Sequence, residues 1–561
     1  MNHSASVEEF HSVVLPLHER RDHSERTLGY LVSLNGVHGV LASQLDSAAG
    51  SVGNDWSVGH LITVVHGESR LVGVVCEMMT ANSLWNESGS NIAHVRIEFS
   101  GEINDDLVGK PYFRRGIRSY PALGATAHRI RSADLAAIYA FSGDGGVTIG
   151  RLSQDESIPA TISVNQLLSR HFAVIGSTGV GKTTAVSMLI KKSLEVRNRL
   201  RVLIIDPHNE YKHYFADDSI ILDSDTLDLP FWMFRFDEMV DIVYGGRTPS
   251  EAEGDALFEL IKLAKQKFGA AQTQLQAPSL IRRQSAPEGA NISADTPVPY
   301  RMADALQLLD EWMGKLDQRY PRSDLRSLKH RLESLSRDPR YRFMFGRVTI
   351  EDNLAKILAR VFRLPIDGAP VTIVQLAGLP NEVVNSVVSV LARLAFDIAL
   401  WSEGSYEISV ICEEAHRYIP NDRTLGFAPT RLAIGRIAKE GRKYGASLGV
   451  VSQRPSELDA TVLSQCSSLF AMRLSNENDK AIIRSALSEA SSSAISFLSS
   501  IANREAIAFG EAVPTPMRMK FNELEWRGAS SAITDQTLSA QLERYDMRRI
   551  VSRLRGESTG E

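Results

Sequence analysis

Residues 176–183 read Gly-Ser-Thr-Gly-Val-Gly-Lys-Thr, and every fixed position of this G-x-x-x-x-G-K-[ST] spacing has a physical reason. Glycines let successive backbone N–H groups turn inward around phosphates. Lys182 reaches the β- and γ-phosphates, and the Thr183 hydroxyl takes a place on Mg²⁺. The flanks fit. Phe172-Ala-Val-Ile175 reads as a buried strand, and Thr184-Ala-Val-Ser-Met-Leu-Ile190 opens an amphipathic helix whose N-terminus faces the anion. The expected contacts of a nucleoside triphosphate are therefore Gly176, Ser177, Thr178, Gly179, Val180, Gly181, Lys182, Thr183 and Thr184. A glycine-rich turn that matches by chance would not need a strand before it and a helix after it.

Such a loop needs an acid for the metal and a group to position or activate water, both at the C-terminal ends of neighbouring strands. Ile408-Ser-Val-Ile-Cys412 followed by Glu413-Glu414 has that form. Glu413 is expected to hold Mg²⁺, directly or through its water, and Glu414 to orient or deprotonate the attacking water. Asp206-Pro-His208-Asn-Glu210-Tyr211 ends another strand. Either Glu210 or Asp206 could share the catalytic work or sense the γ-phosphate, though the same residues are good turn formers. Gln453, in Ser452-Gln-Arg-Pro455, offers an amide to the γ-phosphate or the water. Between these strands lies Arg436-Ile-Ala-Lys439-Glu-Gly-Arg442-Lys443. Arg436, Lys439 and Lys443 share a helical face and Arg442 lies elsewhere. Composition leaves two readings open, a solvated face or an arginine entering the site of the next subunit.

The elements that must position these groups change character along the chain. Residues 1–150 carry short β-branched runs such as Leu28–Leu34, His60–Val65, Arg70–Cys76 and Ala93–Phe99, punctuated by Gly, Asn and Asp, which predicts a small closed β-barrel. From 151 to about 520, strands alternate with helices, the mark of a parallel α/β sheet. Strands are expected at Arg201–Ile205, Val371–Leu376, Ile408–Cys412, Ser447–Val451 and Leu469–Arg473. A helical insertion spans about 230–345, with a polar loop over Ala270–Pro299. Residues 521–561 read as an arm ending in a charged helix near Thr537–Arg555.

Composition narrows the function classes. The chain has 561 residues, 43% hydrophobic and 23% charged, with a formal net charge of −5, so no uniform basic coat for nucleic acid is expected. A length of this size suggests three or four units. Three cysteines, Cys76, Cys412 and Cys466, make no disulfide framework or zinc spacing and suit a reducing cytoplasm. The N-terminus lacks a signal-peptide pattern. The most apolar helix, Val383–Leu400, is interrupted by Asn385, Arg393 and Asp397 and is not expected to span a membrane.

Five segments in order, Ser169–Thr183, Ile205–Tyr211, Cys412-Glu-Glu-Ala-His416, Ile437–Gly445 and Ser452–Pro455, together resemble the motifs of the HerA ATPases, in the FtsK/HerA branch of P-loop motors. The resemblance implies a RecA-like core with a helical insertion, an N-terminal HAS barrel, and a closing segment at Gly510–Pro514. It also implies a homo-hexameric ring with ATP and Mg²⁺ at subunit interfaces, Arg442 as the trans finger, and double-stranded DNA in a central channel. Many members carry Asp-Glu where this chain has Glu413-Glu414. Archaeal relatives work with the nuclease NurA in DNA-end resection, and bacterial ones assemble with sirtuin-like or nuclease effectors in anti-phage defence. No nuclease constellation is visible in this chain. The expected function is an ATP-driven DNA translocase feeding a nuclease or other effector. The alternative is a nucleotide-gated ring scaffold that activates its effector without processive movement.

Overall fold

The computed structural model describes residues 26–46, 56–81, 90–141, 144–216, 218–276, 292–315, 319–346, 352–364, 368–422, 424–487, 492–524 and 547–555. It divides into two compact units, Met1–Ile138 and Tyr139–Glu561.

In the first unit, strands β1 (Thr27–Asn35), β2 (His38–Asp46), β3 (Leu61–His66), β4 (Ser69–Thr80), β5 (Ser90–Asp105), β6 (Pro111–Arg115) and β7 (Thr126–Arg129) pair in the order β2-β1-β7-β3-β4-β5-β6. A further β2–β5 ladder joins the ends, so six strands close into a barrel and β6 lies outside on β5. Alternation supplies the interior. Along β5, Ala93, Val95, Ile97 and Phe99 point inward and pack with Leu31, Leu41, Val64, Val75 and Ala127. This is the barrel that the sequence pattern implies.

The second unit is built on an eleven-stranded sheet. Its strands are β8 (Gly146–Leu152), β9 (Pro159–Ser163), β10 (His171–Ile175), β11 (Leu200–Asp206), β12 (Ser219–Leu222), β13 (Val371–Gln375), β14 (Glu407–Cys412), β15 (Ala446–Ser452), β16 (Cys466–Ala471), β17 (Glu505–Gly510) and β18 (Met517–Phe521). Their order is β12-β13-β11-β14-β15-β10-β16-β17-β18-β8-β9. From β12 to β16 every neighbour is parallel, and from β16 to β9 every neighbour is antiparallel. The central parallel strands β10, β11 and β15 are buried on both faces, which is why they read as continuous apolar runs.

One boundary and one strand differ from the sequence reading. The first unit ends at Ile138, not at 150, because β8 pairs antiparallel with β18 and so belongs to the core sheet. Short β12 adds a parallel edge strand that the pattern did not announce. The insertion is helical, with helices Phe236–Tyr244, Glu251–Gln276, Met302–Gly314, Arg322–Arg337 and Arg342–Phe345. Of the polar loop expected over Ala270–Pro299, 270–276 instead continue the helix Glu251–Gln276 and 277–291 lie outside the described residues, as does 537–546 of the terminal helix, whose described part is Met547–Arg555.

The apolar helix Asn381–Trp401 is long and hydrophobic enough to cross a membrane by composition, yet 89% of its apolar window is buried in this core. It packs against β14, the helix Ala428–Glu440 and the insertion helix Phe236–Tyr244. Two of its charges are matched internally. Arg393 pairs with Glu238 at 3.1 Å, and Asp397 meets Arg436 at 3.6 Å.

Candidate functional site

The loop 176–181 leaves the C-terminal end of β10 and enters the helix Lys182–Val196. Gly179 and Gly181 stand at φ +75° and +102°, a region closed to most side chains, so the loop can fold its N–H groups inward only with glycine there. Both neighbours of β10 anchor the loop. The Gly176 N–H donates to Ser452 O at 3.3 Å on one side, and the Ser177 N–H and Oγ donate to Arg473 O at 3.0 Å on the other. Lys182 is nearly buried and its Nζ donates to Ser177 O at 3.1 Å, so the ammonium already lies over the loop.

The strand order brings the predicted acids to this edge of the sheet. Asp206 ends β11, Glu413 follows β14, and Gln453 follows β15. The Thr183 hydroxyl donates to Glu210 Oε2 at 2.5 Å, and the Thr178 hydroxyl donates to Gln453 Oε1 at 2.5 Å. Glu210 is held by the turn that follows β11. Asp206 accepts the backbone N–H groups of His208, Glu210 and Tyr211 at 3.2–3.3 Å, and Asn209 takes φ +59°. Asp206 is fully buried, and burial raises its pKa despite these bonds. Its place is structural, tying the turn that presents Glu210.

Glu413 is 3% exposed and accepts a hydrogen bond from the Tyr211 hydroxyl at 2.5 Å. Burial pushes its carboxyl up to about 7, against the Tyr211 hydrogen bond and the Lys182 charge, and with help from Glu414 and Glu210. A cation arriving here would restore the charged form. Glu414 sits at φ +50° between two histidines. Its Oε1 lies 4.0 Å from His208 Nε2 and its Oε2 lies 3.3 Å from His416 Nδ1, without hydrogen-bond geometry. His416 Nδ1 is also 3.2 Å from the Ser452 hydroxyl, and burial lowers its pKa.

Lys182, Thr183, Thr178, Glu210, Glu413, Glu414 and Gln453 thus meet at one sheet edge. Arg442 does not. It is exposed on the short turn Gly441–Lys443, just before β15 begins at Ala446, whereas Gln453 follows the other end of that strand. Seven residues of strand separate them by roughly 20 Å. Arg436 is engaged elsewhere, stacked over Phe396 at 4.1 Å and paired with Asp397.

Three participants carry no obvious sequence signal as site residues. Tyr211 and His416 stand inside motifs already singled out, but their partners Glu413 and Ser452 come from other strands. Arg504 lies outside every motif and contacts the loop directly, its N–H donating to Val180 O at 2.8 Å.

Among the described residues no three His, Cys, Asp or Glu side chains form an all-protein metal cage. Mg²⁺ at a phosphoryl-transfer site takes one or two protein oxygens and fills its octahedron with phosphate and water. The Thr183 hydroxyl with the Glu210 and Glu413 carboxylates is an oxygen set of that hard kind.

The family described as the helicase HerA central domain matches residues 147–395. The DNA double-strand break repair helicase HerA of Pyrococcus furiosus is 26% identical over 478 residues, spanning 79% of this chain and 79% of that protein. Its namesake from Sulfolobus acidocaldarius is 22% identical over 535 residues, 92% of this chain and 98% of the other. Among solved structures, VirB4 of Thermoanaerobacter pseudethanolicus aligns at a TM-score of 0.46 and 15% identity, over 68% of this chain and 98% of that one. With the motifs in family order and relatives matching along most of its length, the chain is a P-loop ATPase similar to the HerA helicases.

Proposed function

We propose that this protein is an ATP-hydrolysing, hexameric translocase of double-stranded DNA that works with a nuclease or other effector, in anti-phage defence or DNA-end processing. One observation carries the reading. The loop, the acids and Gln453 meet at one edge of the sheet, while Arg442 is exposed at the far end of β15. A site whose expected finger, Arg442, stands at the far end of its own strand is suited to completion by a second copy, and ring assembly supplies one at each interface. The relatives named as DNA double-strand break repair helicases support DNA as the track.

In this reading the loop N–H groups and Lys182 hold the phosphates, with Lys182 exchanging Ser177 O for phosphate oxygen. Glu414 accepts the proton of the attacking water as the bond from the γ-phosphorus to its bridging oxygen breaks, leaving ADP and inorganic phosphate. Thr183, Glu210 and Glu413 would hold Mg²⁺, which would supply neutralisation of the phosphate charge. Gln453, bonded to Thr178, orients the water or the γ-phosphate. Arg442 of a neighbouring copy stabilises the charge that develops.

The test is ATP turnover with and without linear duplex DNA at low and moderate salt, with Lys182→Ala as the inactive control. Stimulation by DNA that weakens as salt rises supports the translocase. Turnover indifferent to DNA, with an effector still activated, would instead favour a nucleotide-gated scaffold.

A further inference from the structure

Arg504 stands at φ +63°, where a non-glycine residue is strained. Two backbone bonds hold it there. Its N–H donates to Val180 O at 2.8 Å, and its carbonyl accepts the Phe521 N–H at 2.9 Å. The side chain then lies on the phosphate loop, so close that a Cβ at Gly181 would sit 3.0 Å from Arg504 Cγ. A glycine at 504 could make both backbone bonds without strain. What arginine adds is a guanidinium beside the last glycine of the loop.

That guanidinium has a weak partner. Its Nη1 donates to Glu523 at 2.7 Å, but the Glu523 side chain is 80% exposed and the Arg504 side chain 40%. An ion pair this solvated contributes little and exchanges readily. The neighbouring Arg518 is committed differently, to Glu505, a carboxylate only 13% exposed that also takes Ser153 Oγ and the Ala502 N–H.

Strand order says which part of a nucleotide would meet Arg504. Glu210, Glu413, Glu414 and Gln453 all come from the β11, β14 and β15 side of the loop. Water activation requires the γ-phosphate on that side. The phosphate chain crosses the N-terminus of the helix Lys182–Val196, so its sugar end departs toward the opposite flank, where β16 and β17 lie and where Arg504 begins β17's approach. We propose that Arg504 is a nucleotide-binding residue that exchanges Glu523 for the phosphate nearest the sugar, an anion common to ATP and ADP. This rests on the ATPase reading of the loop and adds a residue to it.

The experiment measures ATP and ADP affinities by calorimetry for wild type, Arg504→Gly, Arg504→Lys and Lys182→Ala, with thermal melting of each unliganded protein. The expected result is a loss of about tenfold or more in Arg504→Gly, equal for ATP and ADP, and a smaller loss in Arg504→Lys. Unliganded Arg504→Gly should melt no lower than wild type, since glycine relieves the positive φ; a purely structural arginine would instead lower melting. Affinities within twofold of wild type, or a loss confined to ATP, would overturn the proposal. A wild type that binds no nucleotide, or a Lys182→Ala variant that binds as well as wild type, would sink the ATPase reading itself, a different and recognisable outcome.

Discussion

The Thr183 hydroxyl donates its proton to Glu210 Oε2 at 2.5 Å, joining the first turn of the loop helix to the turn after β11. A threonine that gives its proton to a fixed carboxylate keeps an oxygen lone pair aimed outward, which is the orientation a Mg²⁺ ligand needs. The partner of such a ligand is worth 10–100-fold in metal affinity or activity. Glu210→Ala should therefore raise the Mg²⁺ concentration for half-maximal turnover by about that factor, and weaken Mn²⁺ binding to the nucleotide complex equally. Nucleotide binding without divalent metal should stay unchanged. Unaltered Mn²⁺ affinity would leave Glu210 with a purely catalytic or sensing role.

Glu413 sets a pH dependence of the unliganded protein. Burial pushes its carboxyl up to about 7 from an ordinary 4.5. Between those values the folded chain keeps a proton that the unfolded chain releases, so this group's contribution to stability falls as pH rises through the window. The full cost, reached above pH 7, is on the order of 3 kcal/mol. Melting temperature measured without nucleotide should decline from pH 5 to pH 8, and Glu413→Gln should flatten that decline. Mg²⁺ with nucleotide should flatten it in wild type, because a cation beside the carboxylate favours its charged form. An identical slope in wild type and Glu413→Gln would contradict this account.

Glu414→Gln separates binding from chemistry. The amide keeps the size of the carboxylate but cannot accept the proton of water, and general-base removal typically costs 10²–10⁴-fold in rate. The expected outcome is a single-turnover hydrolysis rate lowered by about that factor with ATP affinity preserved. His416, 3.3 Å from Glu414 and 3.2 Å from Ser452, should act more mildly when changed to Gln. An equal loss of ATP binding in Glu414→Gln would place Glu414 in substrate binding instead.

What could be read from the sequence was what is local. The glycine and lysine spacing at 176–183 lies on one short loop between β10 and its helix, so its geometry is written in consecutive residues. Glu413-Glu414 and Gln453 were recognisable for the same reason, each following directly on an apolar run. The Tyr211–Glu413 bond joins residues 202 positions apart, and only the packing of β11 beside β14 brings them together. Arg504 is further from any pattern, a single arginine whose meaning comes from the pairing of β16 with β17 and from a positive φ that no spacing encodes. The expected boundary at 150 overshoots Ile138 because an antiparallel strand such as β8 has the same alternation whether it closes a barrel or extends a core sheet.

Arg442 gives the sharpest test of assembly, because its own chain holds it about 20 Å of strand away from Gln453. Arg442→Ala should lower the turnover rate by about 10³-fold, the usual worth of an arginine finger, with little change in nucleotide affinity. The informative measurement uses two inactive variants together. An Arg442→Ala subunit retains Glu414, and a Glu414→Gln subunit retains Arg442. Where the first supplies the loop and the second supplies the finger, the interface between them is whole. Mixed assemblies should therefore recover a fraction of wild-type turnover that depends on the mixing ratio, although neither variant is active alone. A finger acting within its own chain could not be complemented this way, because each subunit would carry its defect into its own site. Mixing that yields no recovery, in assemblies shown to exchange subunits, would remove Arg442 from the catalytic interface.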